Sequence, residues 1–227
     1  MKAVVLLSGG LDSTVLLSLA ISAGRECHAL SFDYGQRHRI ELESAKAVAK
    51  HYSIKHSIIS IDSNAFGNSS LVSDLSVPKN RTAEEMGCGI PNTYVPARNT
   101  LFLAYATGKA ELIGAEEIYI GVNAMDRSGY PDCRPEYLAA FQSLLNLSTR
   151  QAIEGRAPKL MSPLADLDKT AIISRGQSLD APIHLSLSCY DPASDATHCG
   201  ECDACILRQK GFVKARVSDP TRWAVKN

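Results

Sequence analysis

Apolar residues run unbroken from position 3 to 7, stop at Ser8-Gly9-Gly10, and recur with helical spacing at Val15, Leu16, Leu19 and Ala20. A short uninterrupted apolar run fits a strand buried on both faces, and the recurrence after it predicts a helix over 13–23. The alternation continues along the chain. Strand-like runs fall at 27–32, 57–61 and 117–122, and helix-like runs at 39–52, 99–113, 135–149 and 168–177. Within 39–52, Ile40, Ala47, Val48 and Tyr52 are the expected inward positions. Strands alternating with helices predict an α/β fold, a Rossmann-like parallel sheet with helices on both faces. Two segments break the rhythm. Residues 62–97 form a long connection rich in Ser, Asn, Pro and Gly, and 186–205 are irregular. The chain is therefore expected to divide into an α/β domain at 1–185 and an appended region at 186–227. A helix should begin near Asp203, with Arg208, Lys210, Lys214 and Arg216 on its outer face.

A strand, a glycine turn and a helix N-terminus together make an anion site. Glycine lets backbone N–H groups approach a ligand, and the helix dipole favours negative charge there. Ser8, Ser13 and Thr14 add hydroxyl donors around Gly9, Gly10, Leu11 and Asp12. The expected ligand is a phosphate, hence a nucleotide. No Gly-Lys-Ser/Thr follows the glycines, which excludes the Walker P-loop, and the third glycine of the dinucleotide fingerprint is missing. In such sheets ligands lie beyond the carboxyl ends of the strands. That brings Arg37 or His38, after the second strand, within reach of a phosphate and leaves the strand edge for adenine, with a solvated loop as the competing reading; Arg98, where a helix opens, is a further anion-facing position. Lys169, at the start of another helix, either reaches a phosphate or is an ordinary surface lysine.

Charge narrows the choice of partner. Lys+Arg and Asp+Glu both number 24, so no broad basic footprint for nucleic acid exists. No apolar run approaches the roughly 18 residues of a membrane span. The chain begins on a strand without a signal-peptide layout, so a soluble cytoplasmic protein is expected. Seven cysteines occur, and Cys189, Cys199, Cys202 and Cys205 crowd together. In that setting metal binding is the stronger reading than disulfides. Four thiolates at this spacing suit a tetrahedral Zn²⁺, which would be structural because protein fills every position. An iron–sulfur cluster is the alternative, and His198 is an alternative ligand.

The richest polar run, 121–136, follows the fourth predicted strand. Asp126, Asp132 and Glu136 have the chemistry to accept from the N–H edge of a guanine-like base. Tyr130 would stack on the base, and Arg127 and Arg134 would hold a carboxylate. Helix capping by Asp132 and Pro135 is the competing reading.

Ser8-Gly9-Gly10-Leu11-Asp12-Ser13 resembles the loop of the PP-loop ATP pyrophosphatases. The order SGGLDS, FDYGQRH, VPARN, GVNAMDRSGYPDCRPEY and SCY…CGECDAC resembles, over about residues 2–215, the 7-cyano-7-deazaguanine synthase family of queuosine precursor biosynthesis. The resemblance implies a carbon–nitrogen ligase that turns 7-carboxy-7-deazaguanine, ammonia and ATP into the nitrile through adenylated intermediates. It implies ATP phosphates on Ser8, Gly9, Gly10, Asp12 and Ser13, with Asp12 also near Mg²⁺; the turn and helix starts add Leu11, Thr14 and Arg98 to the expected nucleotide contacts. Asp12, Ser13 and Lys169 are then the expected catalytic residues, and Tyr130, Asp132, Arg127 and Glu136 the substrate residues. It further implies four-cysteine zinc and a homodimer. Two rivals stand beside it. One is a PP-loop tRNA-modifying enzyme recruiting Cys133 or Cys88; the other is a non-catalytic nucleotide sensor with a zinc clip.

Overall fold

Five strands form one all-parallel sheet in the computed structural model, which describes residues 1–36, 40–62, 69–73, 75–87 and 89–224. They are β1 (Lys2–Leu6), β2 (Glu26–Asp33), β3 (Lys55–Ser60), β4 (Glu117–Tyr119) and β5 (Lys159–Met161), in the spatial order β3-β2-β1-β4-β5. The chain therefore grows outward from β1 in one direction, returns, and continues in the other. The carboxyl ends of β1 and β4 meet at the point of reversal, where open α/β sheets bind ligands.

Strand β1 lies at the centre because both its faces are apolar. Ala3, Val5 and Leu7 pack into one core with α1 (Leu11–Ser22), α2 (Ile40–His51) and later helices. Val4 and Leu6 pack into the other, against α4 (Arg98–Ile113) and α6 (Pro135–Leu145). Burying a side chain of this size contributes about 1.5–3 kcal/mol, so alternate residues of one short strand hold both layers. The remaining helices are α3 (Ala83–Gly87), α5 (Asp126–Gly129), α7 (Arg150–Ile153), α8 (Lys169–Ser178) and α9 (Asp203–Ala215). Among the described residues no helix is long and apolar enough to cross a membrane.

Several expectations need correction. Helix α2 buries Leu42, Ala45, Val48 and Ala49, whereas Ile40 and Ala47 are half-buried. The inward stripe runs from Leu42 because the helix leans its first turn on the loop after β1. The helix expected over 135–149 stops at Leu145, and Thr149 caps a separate α7 by accepting from Ala152 N at 3.1 Å. Strand β5 was not expected at all. Its three residues carry no periodicity, and pairing with β4 creates it. Arg208 does not lie on the outer face of α9; it is 1% exposed.

Candidate nucleotide site and cysteine cluster

The loop after β1 is shaped by its own hydroxyls. Ser13 Oγ accepts from Ser8 N at 3.2 Å and donates to Gly10 O at 3.1 Å. Gly10 N donates to Ser8 Oγ at 3.3 Å. Gly9 adopts φ +88°, and a Cβ there would collide with the Glu41 carbonyl oxygen and stand 2.7 Å from Ala45 N. Gly10 is the N-cap of α1 and supplies no side-chain cap. The amides of Asp12 and Ser13 are thus donors that the helix itself cannot satisfy. Thr14 turns inward, and its hydroxyl donates to Gly10 O at 2.9 Å.

These amides open on a cavity of about 300 Å³ lined by the carboxyl ends of β1, β2 and β4 and by residues 187–190 and 208. Lys169 Nζ donates to Asp12 Oδ2, which also accepts from Asn123 Nδ2 at 3.0 Å. Asp12 Oδ1 is buried and has no partner among the described residues. An unsatisfied carboxylate oxygen beside an anion loop fits a hard divalent cation, which takes oxygen ligands. Asp126 stands nearby, and burial pushes its carboxyl up to about 6, with Lys169 opposing and Asp12 adding to the rise. Across the cavity Arg98 donates to Tyr34 Oη at 3.3 Å and lies against the Tyr34 and Phe102 rings. Phe102 in turn stacks on Phe32, centroids 3.9 Å apart. Glu41 also lines this end, and burial raises its carboxyl to about 7 against the pull of Arg98 and Gln36. The cavity thus has an anion-loop end and an aromatic end.

Beside it the sulfurs of Cys189, Cys199, Cys202 and Cys205 all lie within 4.8 Å of one another. A tetrahedral ion at about 2.3 Å from each thiolate needs sulfurs about 3.8 Å apart, and Cys199 and Cys205 are 3.9 Å apart. Backbone amides point at the sulfurs: Asp191 N and Cys199 N donate to Cys189 Sγ, both at 3.3 Å, and Tyr190 N donates to Cys202 Sγ at 3.4 Å. Hydrogen bonds from Cys189 and Cys205 drive the Cys202 thiol far below its usual range. Four clustered thiols with thiolate-stabilising amides fit a metal ion. His198 is not among them. Its Nε2 accepts from Ser188 N at 3.0 Å, and burial beside Arg208 holds the ring neutral, its pKa lowered to about 4.

Residues 2–216 match the family model described as "Queuosine biosynthesis protein QueC". The chain belongs to the QueC family. A relative from Solidesulfovibrio magneticus, named 7-cyano-7-deazaguanine synthase, is 54% identical over 98% of this chain and 95% of its own. Relatives of the same name from Desulfatibacillum aliphaticivorans and Cellvibrio japonicus are 51% and 50% identical over 98% of this chain, and over 96% and 98% of theirs.

In this QueC-family chain the structure gathers Ser8, Gly10, Leu11, Asp12, Ser13, Arg98, Tyr130 and Lys169 on one cavity. Gly9 lies behind the loop, against α2, and Thr14 is buried in α1. Three residues expected at the substrate do not line the cavity. Asp132 Oδ2 accepts from Asn99 N at 2.9 Å and so satisfies the first turn of α4. Arg127 pairs with Asp166 and donates to Ala165 O at 2.5 Å. Glu136 is exposed at the start of α6, as is Arg134 before it. The polar run is split because α5 is a single turn: Asp126 and Tyr130 face the cavity and Arg127 faces away. Arg37, His38 and Cys88 lie outside the described residues. Asp132→Ala removes a helix cap, worth about 1 kcal/mol. Melting should fall by about 2–4 °C in a thermal scan, with KM for ATP nearly unchanged. A large KM rise would show that Asp132 meets a ligand.

Apart from the strand edge after β2, no motif marks the aromatic end of the cavity. Tyr34 follows β2, Phe102 lies in α4 and Tyr190 in the loop before α9, so no spacing in the sequence links them. Cys133 lines the cavity too, but burial drives its thiol well above the usual range, the opposite of what a sulfur nucleophile needs.

Proposed function

We propose that the protein converts 7-carboxy-7-deazaguanine and ammonia to 7-cyano-7-deazaguanine, spending ATP on two adenylations. The observation that carries this reading is the juxtaposition of free α1 amides, the Lys169–Asp12 pair and the Asp12 Oδ1 without a partner among the described residues, at one end of a cavity with an aromatic far end, in a QueC-family chain. A substrate carboxylate oxygen attacks the α-phosphorus and pyrophosphate leaves. The amides of Asp12 and Ser13 and the Lys169 ammonium meet the charge that develops on the leaving group. Mg²⁺ held by Asp12 would neutralise phosphate charge further. Ammonia then displaces AMP, with its oxygen, to give the amide. The amide oxygen is adenylated in turn, and loss of AMP and the nitrogen protons leaves the nitrile. Both carboxylate oxygens thus depart on AMP.

Tyr130 and Tyr190 supply faces for the planar deazaguanine. Asp126 is the carboxylate best placed to take a proton, since a group near pH 6 is ionised at neutrality yet basic. Its ionised form grows as pH rises through 6. The rate of amide formation should therefore fall on the acid side with an apparent pKa near 6, and Asp126→Asn should flatten that limb while pyrophosphate exchange persists. An unchanged acid limb in the variant removes Asp126 from proton transfer.

Zinc on the four cysteines ties the irregular segment to α9. A homodimer is supported by the outward stripe of α4, where Leu101, Tyr105 and Leu112 are exposed. No nucleic acid is needed as partner, and the reading places the enzyme in the cytoplasm. The test is mass spectrometry of a reaction with ATP, Mg²⁺, ammonium and 7-carboxy-7-deazaguanine. Nitrile appearing with two equivalents of AMP is expected. Unchanged ATP and substrate with folded, metal-loaded protein would overturn the proposal.

A further inference from the structure

Arg208 is a fully engaged guanidinium that is 1% exposed. Its Nε reaches both oxygens of Asp219 at 3.3 Å, and Nη2 reaches Oδ1 at 3.2 Å. Its Nη1 donates to Ser186 Oγ at 2.9 Å and to Ser188 Oγ at 3.2 Å. Asp219 also accepts from the Thr221 backbone and hydroxyl, so it is locked in turn. A buried ion pair adds little net stability over a hydrophobic replacement, because desolvation offsets the attraction. Orientation is what such a pair supplies.

What it orients is Ser188. That hydroxyl accepts from Leu11 N, the first amide of α1, at 3.1 Å, and Leu187 N donates to Gly9 O at 2.9 Å. The residue that follows is Cys189, one of the four cluster cysteines. Ser188 N is itself held by His198, the neighbour of Cys199, and Arg208 stands one turn beyond Cys205 on α9. Each group that fixes Ser188 therefore belongs to the unit that a metal on the cysteines would order. Each group that Leu187 and Ser188 hold belongs to the anion loop.

We propose that Arg208 is a positioning residue for the nucleotide loop, and that the cysteine cluster and the nucleotide site are thermodynamically linked through residues 187–189. Metal on the cysteines raises the affinity for ATP. By reciprocity ATP raises the affinity for the metal by the same factor. The inference rests on the nucleotide reading above, and its test separates the two.

The test uses the full-length zinc-loaded protein. Zinc affinity is measured by competition with a chelating dye, with and without a saturating non-hydrolysable ATP analogue and Mg²⁺. The analogue should tighten zinc binding at least about fivefold, within the usual range of coupling between sites. Arg208→Lys keeps the charge but loses the planar fork. It should raise KM for ATP about tenfold, leave kcat within about twofold, and lessen the zinc–nucleotide coupling. Ser188→Ala should do the same. The double variant should be no worse than either single one, as residues acting in one chain of contacts behave.

Equal zinc affinity with and without bound analogue, or strictly additive effects of the two substitutions, overturns the linkage while leaving the nucleotide reading intact. Failure of the zinc-loaded wild type to bind the analogue at all overturns the nucleotide reading, and the linkage with it. A protein that takes up no zinc overturns the linkage alone.

Discussion

Lys169→Met is expected to slow AMP production about a thousandfold, the cost of removing one well-placed transition-state donor. The lysine is the first residue of α8, capped by Asp168, whose carboxylate accepts from Ala171 N at 2.8 Å. The helix start thus fixes the lysine backbone, and its ammonium is aimed at Asp12 across the anion loop. Only 17% of the Lys169 side chain is exposed, so water does not replace the lost charge. The uncompensated Asp12 carboxylate left behind would also repel the phosphates. ATP should still bind through the α1 amides and Arg98, so the loss should fall mainly on kcat. The measurement is AMP release at saturating ATP and substrate, beside a circular dichroism spectrum showing an intact fold. A loss smaller than tenfold would take Lys169 out of the reaction.

The second large effect falls on the glycines, and it should be unequal. Gly9→Ala places a methyl group against the backbone of Glu41 and Ala45 in a left-handed conformation, whereas at Gly10 the nearest atom is the Ser8 hydroxyl oxygen at 3.4 Å. Left-handed strain alone costs about 1–3 kcal/mol, and a clash with a helix backbone cannot be relieved by a rotamer. We expect Gly9→Ala to destabilise the protein by about 3–5 kcal/mol. That lowers melting by about 10 °C, and ATP affinity should be lost with it. Gly10→Ala should stay within about 1 kcal/mol of the parent. Thermal unfolding of the two variants checks the ordering, and equal melting temperatures would refute it.

The anion loop was legible because every local signal there agrees: an apolar strand, a glycine turn, helical periodicity. The cysteines were legible because spacing alone brings four sulfurs together. Arg208 was misread because basic residues interspersed with apolar ones look like a solvated face, although Arg208 and Lys210, two positions apart, do not share one. Its burial depends on Asp219 and Ser186, which no periodicity connects to it. Asp132 was misread for a related reason. A carboxylate beside Tyr130 looks like a base reader until Asn99, 33 residues earlier, brings its amide within reach. Strand β5 has only three residues and exists because β4 offers an edge. What escaped the reading was in each case a long-range partner.

The bond between Leu11 N and Ser188 Oγ spans 177 residues. At a synthesis rate of about 5–20 residues per second, the first motif of the chain waits roughly ten to thirty-five seconds on the ribosome for the segment that completes it. A truncated chain ending before Ser188 would therefore leave the ribosome with its anion loop shaped only by its own hydroxyls and the Leu11 amide unbraced.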